Sequence, residues 1–484
     1  MILFFMLVSL LNCFYFYEYR AISDTAFAVL CMFIMLMYYQ FVTFCRAQWR
    51  LRMFRGPFAI PLVGNCYQPS TNLRSLLSYL AELRKQYGKI FTLHLFSKAY
   101  LVVLDPVIAR RVMSDNKTFV TDQDVCNAFS GIFGNRLLYS EVHTPRQRDV
   151  KNIVRRILAR PNVLCNLPLI DALAAQGVQD LIDEKMQWMQ NFSADAFSVR
   201  VDQFFAVLTL RAFMNVALQT DFRGTPEAEQ RACDEVRRAG HFLQFLLSLT
   251  HLVPRWLLWP LHVLLGFWRG SHYKYVAQKI SHQLKVREER RQQAASTVGE
   301  ASSEQSSEVC ESDCDDFLSA ISRGELTVPE VAEHMIALCG AGQEASSYFA
   351  SYACLLLAKN PDKQAKLRAS IRQQLGDRTE VTADDVTQMV YLQQVLQEVL
   401  RLYAIVPVAL RKCRREVTVK DCSLSDNTTH WSGQASSDSR ARGVNDITIP
   451  PGTNILLPLY LMNRDPTVWP DPAAFRPERF EEKW

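Results

Sequence analysis

Thirteen cysteines are scattered through the 484 residues without paired spacing, and Cys310 and Cys314 lie in an acidic, Ser-rich stretch, so the chain lacks both a disulfide framework and a zinc-binding pattern. A reducing compartment fits that usage best. Charge excess is missing too: a formal net charge of +5 is small for this length, and no basic and aromatic constellation argues for nucleic acid. Nothing repeats internally, which excludes an array of repeats. What is present, at 49% hydrophobic, suffices for a large core in one big domain or two.

Two apolar runs open the chain, Met1 to Tyr17 and Ala26 to Cys45, separated by Glu18, Arg20, Ser23 and Asp24. The second is uncharged throughout and long enough to span a bilayer as a helix. Arg46, Arg50, Arg52 and Arg55 follow it, and the positive-inside rule places them, with everything downstream, in the cytosol. The first run reads equally as a second span or as a signal-like segment. Gly56, Pro57, Pro61, Gly64 and Asn65 come next, and because proline cannot continue a membrane helix they predict a stiff elbow. The expected organisation is an anchor over 1–45, with its span at 26–45, a basic and proline-containing hinge over 46–65, and a body over 66–484. Two low-complexity loops interrupt that body, an acidic, Ser-rich one at 292–316 and a polar one at 422–445. Residues 253–268, with three tryptophans among leucines, read either as an interfacial element dipping into lipid or as core.

Three helices carry the chemistry. Thr327, Val328, Pro329 and Glu330 form a capping box with an early proline, and the helix they start should run to Ala358 before Asn360 and Pro361 end it. At about thirty residues it would be roughly 45 Å long and, apolar on many sides, buried. Its middle reads Ala341, Gly342, Gln343, Glu344, Ala345, Ser346, Ser347. Glycine at 340 and 342 serves a helix only where something approaches the backbone closely or another helix packs tightly. A second helix begins at Pro145, with Val150, Ile153, Val154, Ile157 and Leu158 facing inward and Arg148, Lys151, Asn152, Arg155 and Arg156 facing out. In the third, residues 390–403, Leu392, Val395, Leu396, Val399 and Leu400 share the spacing of a buried face, while Glu398 and Arg401 pair side by side. The same pairing at Glu235/Arg238 and Glu288/Arg291 reads as solvated. Context sets Glu398 apart: Tyr403, Pro407 and Arg411 follow, then Pro477, Glu478, Arg479 and Phe480.

That ordered set closely resembles the cytochrome P450 family over nearly the whole chain downstream of residue 55. The resemblance implies a fold that is mainly α with a smaller β region, preceded by an N-terminal transmembrane anchor. It implies haem b as cofactor and a monooxygenase anchored in the endoplasmic reticulum membrane, its catalytic domain facing the cytosol, that inserts one atom of O2 into a lipophilic substrate such as a lipid, sterol or xenobiotic. Electrons would come from NADPH through a flavoprotein reductase, docked on the basic face of the helix that begins at Pro145. Glu398, Arg401 and Arg479 become a buried structural triad. Glu344 becomes the proton-relay acid beside the gap that Gly342 leaves for dioxygen, and Ala345 stands where the family has threonine, with Ser346 as the substitute hydroxyl. His143 and Arg148, with Arg146 as competitor, and Arg411 become the grips on the haem propionates.

In the family the iron ligand is a cysteine on a loop of phenylalanine and glycine beyond the Pro-Glu-Arg-Phe segment. No cysteine up to Trp484 stands in that context, so the ligand is expected beyond Trp484, and 66–484 is expected to be an incomplete catalytic domain. The alternative, from a different class, is a haem-free, membrane-anchored binding or regulatory protein that retains the scaffold; the missing ligand and Ala345 support it.

Overall fold

The computed structural model describes residues 24–61, 63–65, 73–96, 98–122, 126, 145–191, 198–218, 278, 281–286, 289, 316–420 and 446–481. The run Met1 to Tyr17, His143, the 253–268 segment, the 422–445 loop and all but the last residue of the 292–316 loop lie outside them. The described residues fall into two compact units: residues up to Asp122 with Val406–Met462 form one, and those of Gln123–Phe245, Leu261–Ile405 and Asn463–Trp484 form the other.

The first unit is built on a sheet. Strands β1 (Ile90–Leu95) and β2 (Lys98–Val103) form an antiparallel hairpin. β3 (Phe119–Val120), β4 (Ala409–Cys413) and β7 (Asn454–Leu457) complete it in the order β1-β2-β7-β4-β3, with β2 and β7 parallel; β5 (Val417–Lys420) and β6 (Asp446–Ile449) pair separately. Phe91, Leu93, Tyr100 and Val102 pack on Leu80 and Leu83 of helix α2 (Leu73–Tyr87). Leu101 and Val103 face Ile108, Ala109 and Val112 of α3 (Pro106–Ser114), which Asp105 caps by accepting from the Val107 and Ile108 amides. Because β2 and β7 are buried on both faces, their sequences run apolar without alternation and carry little strand signal.

Helix α1 (Asp24–Arg50) leads into this unit. It continues past the expected boundary at Cys45 because nothing between Cys45 and Arg50 stops it: there is no proline or glycine, and arginine and alanine are good helix formers. Leu30, Phe33, Tyr39 and Phe41 are exposed along it, whereas Phe44 is buried and its ring lies 5.3 Å from that of His94. Burial pushes the His94 imidazole down to about 4, so it packs as the neutral ring. The segment after α1 is tied to β1, Thr92 donating its amide to the Arg55 carbonyl at 2.8 Å and the Asn65 amide to His94 at 2.7 Å.

The second unit is helical: α4 (Pro145–Ile157), α5 (Arg160–Cys165), α6 (Leu167–Asn191), α7 (Val201–Leu218), α8 (Phe317–Ser322), α9 (Val328–Lys359), α10 (Pro361–Leu375), α11 (Ala383–Gln388) and α12 (Val390–Leu402). Its longest element, α9, starts at the Thr327 and Glu330 capping box and ends at Asn360. One core joins Val150, Ile153, Val154 and Ile157 of α4 to Leu210 and Met214 of α7, Phe317 of α8 and Val331 and Met335 of α9. A second joins Ala353 and Leu356 of α9 to Val395, Val399 and Leu402 of α12 and to Phe475. The buried face of α12 differs from the one apolar spacing predicts. Leu400 is 46% exposed and Leu396 half-buried, while Tyr391, Gln394, Glu398 and Arg401 are buried. Charged groups with internal partners compete successfully for the inner face, which hydrophobic pattern alone does not register.

Candidate active site

Glu398 is a fully buried carboxylate of the second unit. It accepts from Arg401 Nε at 2.7 Å and Nη2 at 2.8 Å, from the Arg476 amide at 2.9 Å and from Arg479 Nε at 3.1 Å. Arg401 spends its remaining donors on the carbonyls of Asn463, Pro472 and Ala474, at 2.9, 2.8 and 3.1 Å. Arg479 reaches the Pro470 carbonyl at 2.9 Å. The structure thus brings Glu398, Arg401 and Arg479 together and uses them to fasten residues 463–479 onto α12.

Glu478 ties the same segment to two further helices. It accepts from Lys366 Nζ at 2.9 Å and Lys363 Nζ at 3.3 Å on α10, and from the Tyr391 hydroxyl at 3.1 Å on α12. Burial pushes its carboxyl up, but the bonds from Lys366, its own backbone and Lys363 outweigh that and hold it at about 2, against an ordinary 4.5. A lowered folded-state value means stabilisation that is complete above the unfolded value and lost as pH falls through the folded one. Stability to urea is therefore expected to decline between the ordinary 4.5 and about 2, and Glu478→Gln to flatten that decline; an unchanged acid limb in the variant would count against this role for Glu478.

The middle of α9 is oriented by a residue that sequence reasoning passed over. Gln343 is buried, donates Nε2 to the Ala206 carbonyl on α7 at 3.1 Å, and has its own carbonyl bonded by the Thr209 hydroxyl at 3.2 Å. A lone amide in an apolar helix was the available signal. At about 100° per residue, fixing Gln343 against α7 turns Ala341 and Ala345 to the opposite side of the helix. A Cβ built on Gly342 would meet no atom within 4 Å, so this stretch borders open space. Glu344 and Ala345 are half-buried and Ser346 is exposed. Ser347 is buried and already donates to the Glu344 carbonyl at 2.9 Å.

The basic residues separate by what they touch. Arg146 grips both carboxylate oxygens of Glu330, at 2.8 and 2.6 Å from Nη2, and donates Nη1 to the Glu325 carbonyl at 3.0 Å. It clamps α4 to the start of α9. Burial raises Glu330, but the bonds from Arg146 and Thr327 win and leave it below the ordinary carboxylate range. Arg148 is exposed on α4 and has no partner among the described residues. Arg411, on β4 in the first unit, is half-buried; its one hydrogen bond among the described residues goes to the Leu410 carbonyl at 2.9 Å, and burial pushes its guanidinium down. A half-buried guanidinium without a carboxylate suits an anionic ligand group.

Among the described residues no group of three or more His, Cys, Asp or Glu side chains could hold a metal ion. Burial pushes the thiols of Cys354 and Cys413 up, away from the thiolate form, and Cys339 lies against Met214 sulfur at 3.6 Å. Within the second unit, the open space beside Gly342 suits the face of a haem and Arg148 suits a propionate; within the first, Arg411 has the chemistry for a propionate. Cys354 and Cys413 are not set up as its thiolate.

Comparison with known proteins agrees with this architecture. The cytochrome P450 family model matches residues 54–430 and 434–483. Ferruginol synthase of Salvia miltiorrhiza is 24% identical over 451 residues, covering 91% of this chain and 80% of that protein. Carnosic acid synthase of Rosmarinus officinalis is 23% identical over 440 residues, 88% of this chain and 77% of that protein. A shorter stretch of 154 residues, 32% of this chain and 26% of the relative, is 33% identical to cytochrome P450 3A13 of Mus musculus. With a family match spanning most of its length and a mainly helical body carrying a small sheet, this chain belongs to the cytochrome P450 family of haem-dependent monooxygenases.

Proposed function

We propose that the protein is a membrane-anchored monooxygenase that oxidises a lipophilic substrate with O2, taking electrons from NADPH through a flavoprotein reductase, with its body on the cytosolic face of the endoplasmic reticulum. The observation that carries this reading is α9, a long capped helix whose glycine borders open space next to a half-buried glutamate. Two described helices are long and apolar enough to cross a membrane, Leu30–Arg50 and Val201–Leu218. The second contributes Leu210 and Met214 to the helical core, so we assign the span to α1, of which 11% is buried. We keep 1–45 as anchor, 46–65 as hinge and 66–484 as the catalytic body. Relatives named for ferruginol, carnosic acid and 11-hydroxysugiol chemistry support a lipophilic small molecule as substrate.

Haem, when bound, supplies the redox chemistry that activates dioxygen. The chain's own residues position and protonate. Arg148 and His143, and independently Arg411, are the residues that would offer a propionate carboxylate a positive partner. Gly342 keeps the α9 backbone clear, and the Glu344 carboxyl takes up and passes on protons. Ser347 has its hydroxyl hydrogen committed to the Glu344 carbonyl, which leaves Ser346 or a water for the relay that threonine serves at position 345 elsewhere in the family.

Protein expressed from the complete transcript, reduced and exposed to carbon monoxide, tests this reading. A haem-thiolate difference band together with NADPH-dependent oxygen consumption is expected. No band would favour the haem-free binding protein instead. In the same preparation Ala345→Thr is expected to raise the fraction of electrons recovered as product by several-fold, within the ~10²-fold reach of one positioned proton-transfer group. Unchanged coupling would overturn the assignment of Ala345 to the threonine position.

A further inference from the structure

Where α1 meets the sheet, a cavity of about 250 Å³ is lined by Thr43, Arg46 and Arg50 of the helix, Lys98 at the start of β2, and Thr453 and Asn454 at the start of β7. Three of these side chains are cations, and among the described residues no carboxylate lines the space. Arg46 is exposed and has no partner among the described residues. Arg50 is held in place by a 2.8 Å bond from Nη1 to the Gly452 carbonyl, and a Cβ at Gly452 would come within 3.2 Å of that nitrogen. The helix end contributes a negative partial charge of about half a unit, which three full cations outweigh. Asn454 donates Nδ2 to the Ala99 carbonyl at 3.3 Å, which fixes the start of β7 beside β2 under the cations.

The surroundings say what carries that ligand. The helix below the cavity exposes Phe33, Tyr38, Tyr39 and Phe41, and around its end Trp49, Met53 and Phe58 are 70%, 83% and 78% exposed. Aromatic and apolar side chains bordering arginines are the composition of a membrane interface. At about 30 Å³ per water in the liquid, the cavity has room for a headgroup and not only for a single ion.

We infer that this cavity binds the headgroup of an anionic phospholipid, its phosphate on Arg46 and Arg50 with Lys98 adding positive charge beside them. The acyl chains lie along the apolar face of α1. The inference rests on the reading of α1 as the membrane span.

The test uses the full chain in nanodiscs of phosphatidylcholine doped with phosphatidylinositol, with native mass spectrometry of the released protein to count retained lipids. One retained phosphatidylinositol per chain is expected, with phosphatidylcholine lost. Arg46→Glu should weaken retention roughly thirtyfold, from about 1 kcal/mol per charge removed and again per charge reversed, and Arg46→Lys should restore it. Arg46 is exposed, so neither change threatens folding. Equal retention of both lipids, or no loss in Arg46→Glu, overturns the site. Displacement by inorganic phosphate alone would show that a free anion and not a lipid is the ligand, and also overturns it. Resistance of the protein to carbonate extraction is scored separately: failure there removes the anchor, whereas failure of retention in carbonate-resistant protein removes only the lipid site.

Discussion

Glu398→Ala is expected to lower the free energy of unfolding by roughly 3–5 kcal/mol, the cost of leaving buried charge without its partner. The carboxylate is fully buried and receives four hydrogen bonds, three of them from two guanidiniums. Its removal leaves Arg401, 2% exposed at the side chain, and Arg479, 6% exposed, as adjacent buried cations. Their bonds to the carbonyls of Pro470, Asn463, Pro472 and Ala474 remain, but these now have to hold repelling groups in place. A loss that size is a large share of the 5–15 kcal/mol that typically holds a domain together. Glu398→Gln keeps the shape and about half of the acceptors, so it should fall between the wild type and Glu398→Ala. Urea denaturation followed by circular dichroism measures all three. A loss below about 1 kcal/mol in Glu398→Ala would mean that water or a shifted acid replaces the carboxylate, and that the segment after Asn463 is held by other contacts.

The second large effect separates activity from stability. Because a methyl at Gly342 meets nothing within 4 Å, Gly342→Ala should stabilise α9 by about 0.5–1 kcal/mol through reduced backbone freedom in the unfolded chain. Gly342→Leu starts into the same open side of the helix and is expected to leave the urea midpoint intact. Yet it fills the space that we assign to dioxygen and the haem face, and turnover should fall on the order of 100-fold, the scale of an ångström's displacement at a reacting centre. Full turnover in a folded Gly342→Leu enzyme would remove Gly342 from the site and turn attention to Ala341 or Ala345 on the neighbouring face. A variant that unfolds would instead mean that the glycine serves packing.

Much of the scaffold is legible in the sequence where its causes are local. The Thr327 and Glu330 capping box is satisfied within one turn, so three residues' spacing is enough to place the start of α9. The inner face of α4 follows from the 3.6-residue spacing of Val150, Ile153, Val154 and Ile157. Other features depend on remote partners. Arg146 and Arg148 look alike on α4, and only Glu330, 184 residues further on, distinguishes the clamp from the guanidinium that has no partner among the described residues. Gln343 reads as an arbitrary position until Ala206 is set beside it by the packing of α7 on α9.

Read in one dimension, the chain already establishes the family, the mainly helical character of the body, an apolar helix at the amino end and the identities of the ion triad. Each of these is carried by periodicity, by a short-range cap or by an ordered set of motifs that survives being read in one dimension. Tertiary structure alone decided which face of α12 is buried, which arginine is committed, how α9 is rotated, and that α1 ends against the sheet over a cationic cavity. The physical reason is the same in each case. A buried polar group is tolerated only where partners meet it, and those partners come from elements that lie far apart along the chain and are adjacent only once the core has packed.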